Sequence, residues 1–180
     1  MRGLKIQIRR TALALALIAL AGAASAASLP GSTRLALLPQ AWTDDSGKPL
    51  ALTSLTGETV VLTMAYANCH RVCPMTIDQL KRLQASFDAA GRKAEFVIVG
   101  YDPENENAAT WRDYRKSHRL NRSNWHFITG SLEDTTRLAR ALNFELWKYD
   151  EHVMHDSHVL LFDPDGVLAH ELDPAATDPS

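Results

Sequence analysis

The only cysteines in the 180-residue chain are Cys69 and Cys73, separated by His70-Arg71-Val72. A disulfide between them would close a ring of five residues, which restricts the unfolded chain by only about 2 kcal/mol. The pair is therefore a poor structural staple and a good reversible switch or chelate. The thiolate is the form that attacks disulfides and binds soft metals. Pro74 suits the first turn of a helix, which puts Cys73 at or just before a helix N-terminus whose dipole favours a thiolate. Arg71 and protonated His70 add to that effect. A second group, His152-Val153-Met154-His155-Asp156-Ser157-His158, packs three histidines and a methionine into seven residues. Soft thiolates select Cu(I), zinc or iron–sulfur clusters, and an added imidazole suits copper. The plain alternative for this second group is a polar loop ahead of a strand. His118, His126 and His170 lie apart and read as surface or satisfied core residues, and Asp102-Pro103 reads as loop-forming.

Both groups need a scaffold. Trp42 to Leu52 holds Asp44-Asp45-Ser46-Gly47-Lys48 between apolar flanks, a hairpin signal. Thr59 to Ala65 and Ala94 to Gly100 are continuous apolar, β-branched runs, as expected of strands covered on both faces. Between them Ile77, Leu80, Leu83 and Phe87 form the stripe of a helix that Gly91 ends. Ala108 to His118 reads as a helix and Trp125 to Thr129 as a strand. Ser131 to Leu142 reads as a helix with Ser131 as N-cap and Leu138, Leu142 and Leu132 facing inward. Two last strands, His158 to Phe162 and Val167 to Leu172, flank the turn Asp163-Pro164-Asp165-Gly166. Strands alternating with helices and closing on a hairpin predict an α/β sheet with helices on both faces. In such sheets sites form where strands hand the chain to helix N-termini, as at Cys69 and Cys73.

The first ten residues carry four positive charges and no acid, and run into an apolar stretch of about fourteen residues that ends in Ala24-Ser25-Ala26. This is the outline of a signal peptide cleaved after Ala26. The stretch is shorter than the roughly 20 apolar residues that span a bilayer. A lipid-anchored start is excluded, because no cysteine stands at the cleavage position. Removing residues 1 to 26 leaves 15 basic against 21 acidic side chains, a net charge of −6. Nucleic acid and anionic membrane surfaces are unsuited partners for such a chain. The expected organisation is a signal peptide over 1–26, a flexible segment over 27–40, one domain over 41–173 and a flexible tail over 174–180.

Tyr66 to Thr76 with its CxxxCP core, the Gly100-Tyr101-Asp102-Pro103 strand end, Leu132 to Leu142, and His155 nine residues ahead of Pro164 together resemble the Sco/SenC family. The resemblance runs from about Trp42 to Leu172. It implies a thioredoxin-like three-layer sandwich with a mixed central sheet and an N-terminal hairpin. It also implies a copper site, for Cu(I) or Cu(II), made of Cys69, Cys73 and His155. The family's role is assembly of the dinuclear copper centre of cytochrome c oxidase, so the implied partners are its copper-site subunit and a periplasmic copper donor or thiol reductant. Where the family usually has Pro-Asp between the cysteines this chain has His70-Arg71, and Met154 stands where an Asp usually precedes the histidine. Arg71 stabilises thiolates but repels an incoming cation.

Two readings follow. In one the chain is a copper-binding assembly factor without turnover; in the other Cys69 and Cys73 are a catalytic redox pair of a periplasmic thiol–disulfide oxidoreductase and the histidines are incidental. His158, which opens the apolar run Val159 to Phe162, reads as a structural histidine; His155, at the position that matches the family ligand, is the expected third ligand, with His152 or Met154 as substitutes. Residues three apart in a strand point to opposite faces, so at most one of the two reaches the sulfurs. Export is checked by intact mass: material from a periplasmic extract is expected to start at Ala27, and a mass retaining residues 1 to 26, recovered with membranes, would contradict it.

Overall fold

The computed structural model describes residues 33–67, 73–149, 152–155 and 158–172, with the side chains of 73–75, 146–149 and 152–155 left out. In chain order the strands are β1 Trp42–Asp44, β2 Pro49–Leu50, β3 Thr59–Ala65, β4 Ala94–Gly100, β5 Trp125–Thr129, β6 Leu146–Tyr149, β7 His152–His155, β8 Val159–Phe162 and β9 Leu168–Leu172. The helices are α1 Cys73–Ala89, α2 Ala108–His118 and α3 Leu132–Ala141. Seven strands form one sheet in the order β2-β1-β5-β4-β3-β8-β9. The centre is parallel: β3 pairs with β4 from Thr59↔Ala94 to Ala65↔Gly100, and β4 pairs with β5. The flanks are antiparallel, β1 on β5, β8 on β3 and β9 on β8. This is the mixed sheet with an N-terminal hairpin that the pattern of runs predicts.

Every residue of β3 is buried, because both faces of the strand are covered. Val60, Leu62 and Met64 join Val97, Val99, Leu138 and Leu142 in a core beneath α3, and Leu35 and Leu38 from the 27–40 segment are buried with them. Val61 and Ala65 join Ile77, Leu80, Phe96, Ile98, Trp111 and Phe127 beneath α1 and α2. Strict alternation along β3 and β4 thus builds two cores and three layers.

The helices on the second core are held by polar ties as well as by packing. Gln84 of α1, 6% exposed, accepts hydrogen bonds from Trp125 Nε1 at 2.9 Å and Asn124 Nδ2 at 2.8 Å. Trp111 Nε1 of α2 donates to Thr129 Oγ1 at 2.9 Å. Phe96 stacks on Trp125 with centroids 5.0 Å apart. Asn107 caps α2 by accepting from the Ala109 and Thr110 N–H groups, and Ser131 caps α3 by accepting from the Asp134 N–H. Gly91, at φ 62°, supplies the left-handed residue that ends α1.

Leu132 departs from expectation. At the first position of α3 it is 58% exposed, while Thr135, Leu138 and Ala139 face the core. It shares the face of Ala139, seven residues on, and at the first position of the helix it stands beyond the end of the buried stripe. The seven-residue histidine run departs too: residues His152–His155 form a strand that pairs antiparallel with β6, from Leu146↔His155 to Tyr149↔His152.

A Cβ added at Gly130 would stand 2.6 Å from the buried Trp42 ring. Gly130→Ala is therefore expected to destabilise the fold by about 1–3 kcal/mol, as overpacking does, seen as a Tm drop of several degrees in a thermal melt; an unchanged Tm would show that Trp42 moves freely.

Candidate metal and redox site

Strand β3 ends at Ala65, and the chain passes Tyr66 and Ala67 towards α1, whose first residue is Cys73. The burial of Ile77 and Leu80 and the Gln84 ties fix α1 against the sheet, so its N-terminus faces the C-terminal end of β3 and β4. Cys69, with the rest of 68–72, lies outside the described residues. The second predicted group arrives at the same end by another route. β8 runs antiparallel to β3, with Leu62↔Leu160 the last pair of the ladder. One step beyond, Thr63 Oγ1 donates to the His158 carbonyl at 2.6 Å. His155 ends β7 three residues earlier, within about 10 Å of chain. The fold thus brings the element carrying Cys73 and the segment carrying His155 to one end of the sheet, from positions about 80 residues apart in sequence.

His158 is tied into the fold. Its Nδ1 lies 2.7 Å from Glu171 Oε1 on β9, and its ring meets Phe144 edge-on at 5.5 Å. Both side chains of the pair are little more than a quarter exposed. His126 is tied to Glu95 at 2.7 Å in the same manner, and His118 stacks on Tyr114 at 4.0 Å. Asp102 closes its own turn, its carbonyl accepting from the Asn105 and Glu106 N–H groups and its carboxylate from Asn105 Nδ2. His152 and Met154 share β7 with His155. Among the described residues no group of three or more His, Cys, Asp or Glu side chains is set to hold a metal, and no helix is long and apolar enough to cross a membrane.

One residue of this end had no sequence motif to mark it. Glu106 is 1% exposed. One carboxylate oxygen accepts the Ala67 N–H and the other accepts the Asp102 N–H at 2.9 Å. A single side chain therefore clasps the exits of β3 and β4, two residues ahead of Cys69. Gly100 leaves the room: a Cβ there would sit 2.5 Å from Glu106 Oε2. Burial, opposed by the two backbone hydrogen bonds and assisted by nearby Asp102, pushes the Glu106 carboxyl up from 4.5 to about 7.

Residues 38–180 match the family model described as SCO1/SenC. The chain belongs to the SCO1/SenC family. It is 25% identical over 132 residues to the SCO1 protein homolog of Bacillus subtilis, covering 71% of this chain and 68% of that one. It is 26% identical over 131 residues to a provisionally named copper-binding protein of Stutzerimonas stutzeri, covering 69% of this chain and 63% of that one. This chain thus spans less than two thirds of that second relative's length. Among solved structures it is similar to BsSco, described as a member of the Sco family of cytochrome c oxidase assembly proteins in which a disulfide switch was identified. That likeness has a TM-score of 0.67 at 25% identity and covers 77% of this chain and 83% of BsSco. The Sco fold is thus the α/β one expected from the order of elements, and the thioredoxin-like one that the resemblance implies.

The Glu106 carboxyl gives the Sco domain a pH signature. Its folded-state pKa lies above its unfolded one, so its contribution to stability is full below about pH 4.5 and is lost as pH rises through about 7. Chemical denaturation across that window is expected to show a decline on the order of 3 kcal/mol that Glu106→Gln flattens; an equal decline in both proteins would assign it elsewhere.

Proposed function

We propose that this Sco protein is an exported copper carrier for the dinuclear copper site of cytochrome c oxidase, holding copper on Cys69, Cys73 and His155. The observation that carries the reading is the junction at the end of β3. The strand hands its chain to the N-terminus of α1 while the Thr63–His158 bond sets the start of β8, and the His155 segment, beside it. Two thiolates and one imidazole are a donor set that suits copper and disfavours hard cations. The copper-binding name of the Stutzerimonas relative and the oxidase-assembly role of BsSco agree with it. Copper here is cargo. The chain's own part is to present two thiolates stabilised by a helix N-terminus and to close the site with a histidine from the segment ahead of β8, the strand next to β3.

A second reading is favoured by one residue. Arg71 between the cysteines stabilises thiolates and repels a cation, which suits reduction of the cysteines in the copper-site subunit. In that role one cysteine attacks a target disulfide and the other resolves the mixed disulfide, leaving the target reduced and Cys69–Cys73 oxidised.

Titration of the reduced protein with Cu(I) and Cu(II) separates the two. One copper per chain is expected, with Cys69→Ser and Cys73→Ser each abolishing tight binding. His155→Ala is expected to lose or reshape the thiolate-to-copper absorption and the nitrogen coupling in electron paramagnetic resonance, with His158→Ala near wild type. The reverse pattern would move the ligand to His158. Wild-type signals in both variants, together with reduction of a copper-site peptide disulfide, would favour the thiol-redox reading.

A further inference from the structure

Helices α1, α2 and α3 end in the same backbone device, and α2 builds it on an unsuited residue. After α1 the Arg92 N–H bonds back to the Phe87 carbonyl at 2.9 Å and the Gly91 N–H to Asp88 at 3.0 Å, with Gly91 at φ 62°. After α3 the Phe144 N–H reaches Ala139 at 2.9 Å and the Asn143 N–H reaches Arg140 at 3.4 Å, with Asn143 at φ 57°. After α2 the Leu120 N–H reaches Arg115 at 2.9 Å and the Arg119 N–H reaches Lys116 at 3.2 Å, with Arg119 at φ 56°. This left-handed position favours glycine and then asparagine, because a Cβ is crowded there. Arginine has neither advantage, and a residue held against its backbone preference points to a use for its side chain.

The Arg119 side chain lines a crevice of about 240 Å³ between α1 and the turn that leads into β5. Lys81 and Asp88 stand on the α1 side, and Arg119 and Arg122 on the other. Gln84, Leu120 and Trp125, each no more than 6% exposed, lie at the bottom. The one acid of this lining is already engaged: Asp88 accepts two Arg122 nitrogens at 2.7 and 3.0 Å, and the Gln84 amide at 3.1 Å. The Trp125 Nε1–H is spent on Gln84, which leaves Leu120 and the indole face as apolar surface. Lys81 reaches exposed Asp78 at 3.8 Å, and the Arg119 guanidinium makes no hydrogen bond or ion pair among the described residues. Three cations thus surround one crevice on a chain that has 15 basic against 21 acidic side chains beyond residue 26. The crevice lies at the start of β5, the end of the sheet away from the exits of β3 and β4.

We propose that this crevice binds a small organic anion, a carboxylate on a short apolar body, with the head on Arg119 and Lys81 and the body on Leu120 and Trp125. A guanidinium offers a carboxylate two parallel N–H donors, and the ammonium adds a point charge. At about 30 Å³ for each water-sized group, the space holds a ligand of about eight non-hydrogen atoms. An inorganic anion would leave the apolar surface uncovered, so the body contributes as well as the head.

The test titrates the purified protein with benzoate and with acetate, and follows the Trp125 indole N–H and the Ala85 and Leu120 amides in nitrogen–proton correlation spectra. Benzoate is expected to shift these signals saturably with a Kd of about 1 mM or below. Acetate, which lacks the apolar body, is expected to bind at least about tenfold more weakly. Arg119→Gly suits the left-handed backbone, so it is expected to melt no lower than wild type while weakening benzoate about tenfold. Arg137→Gln removes an equal charge from α3, on the other face of the sheet, and is expected to leave benzoate affinity unchanged. Benzoate affinity within about twofold of wild type in Arg119→Gly would overturn the proposal. So would equal weakening in Arg137→Gln, acetate binding as tightly as benzoate, or shifts that do not saturate below about 10 mM. A lower Tm in Arg119→Gly would overturn it too, by showing that the arginine serves the fold.

Discussion

The parallel pairing of β3 with β4 is the constraint on which the rest of the structure depends. Its seven rungs run from Thr59↔Ala94 to Ala65↔Gly100 and bury both strands on both faces. Because the side-chain period of a strand is two, this register assigns Val60, Leu62 and Met64 to one core and Val61 and Ala65 to the other. A slip of one residue would exchange the cores and turn Thr63 away from the His158 carbonyl. The ladder also decides where the chain leaves the sheet. It ends level at Ala65 and Gly100, which puts the Ala67 and Asp102 N–H groups close enough for one carboxylate to accept both.

Around that ladder the helices are tied to the sheet by polar contacts as well as by packing. Gln84, with no freedom to leave the Trp125 and Asn124 donors, sets the tilt of α1, and the Trp111–Thr129 bond does the same for α2. The proposed site lies at the N-terminus of α1, where small changes in tilt move the first turn most. The stiff aromatic layer of Phe96, Trp125, Phe127 and Trp111 under these two helices is well matched to that demand.

What could be read from residues alone divides along physical lines. β3 and β4 were legible because fully buried strands need unbroken apolar, β-branched runs, and α3 because Ser131 and Asp134 signal its start. The order of strands was not, since pairing is long-range and leaves no local mark. The β6–β7 hairpin was hidden because a histidine-rich run lacks apolar alternation, and two short strands pair there through backbone groups that no side chain announces. Leu132 misled because an apolar residue at a helix start can lie just outside the buried stripe. CxxxC and the histidine cluster stood out by residue type, whereas Glu106 sits in Glu104-Asn105-Glu106-Asn107, where one acid looks like another. Only burial separates it from Glu104.

The bond between Thr63 and the His158 carbonyl spans 95 residues of chain. During synthesis, both thiols therefore exist long before the imidazole that would complete their donor set, and they remain a two-sulfur fragment until β8 has found its place beside β3. An oxidant met in that interval encounters different chemistry from the finished protein: two sulfurs free to form a disulfide with each other or with another thiol, and no third donor of the proposed site beside them. The proposed site is in this sense completed last, with the docking of a single late strand, and a substitution that slows that docking, such as loss of the Thr63 hydroxyl, would lengthen the time for which the two sulfurs stand alone.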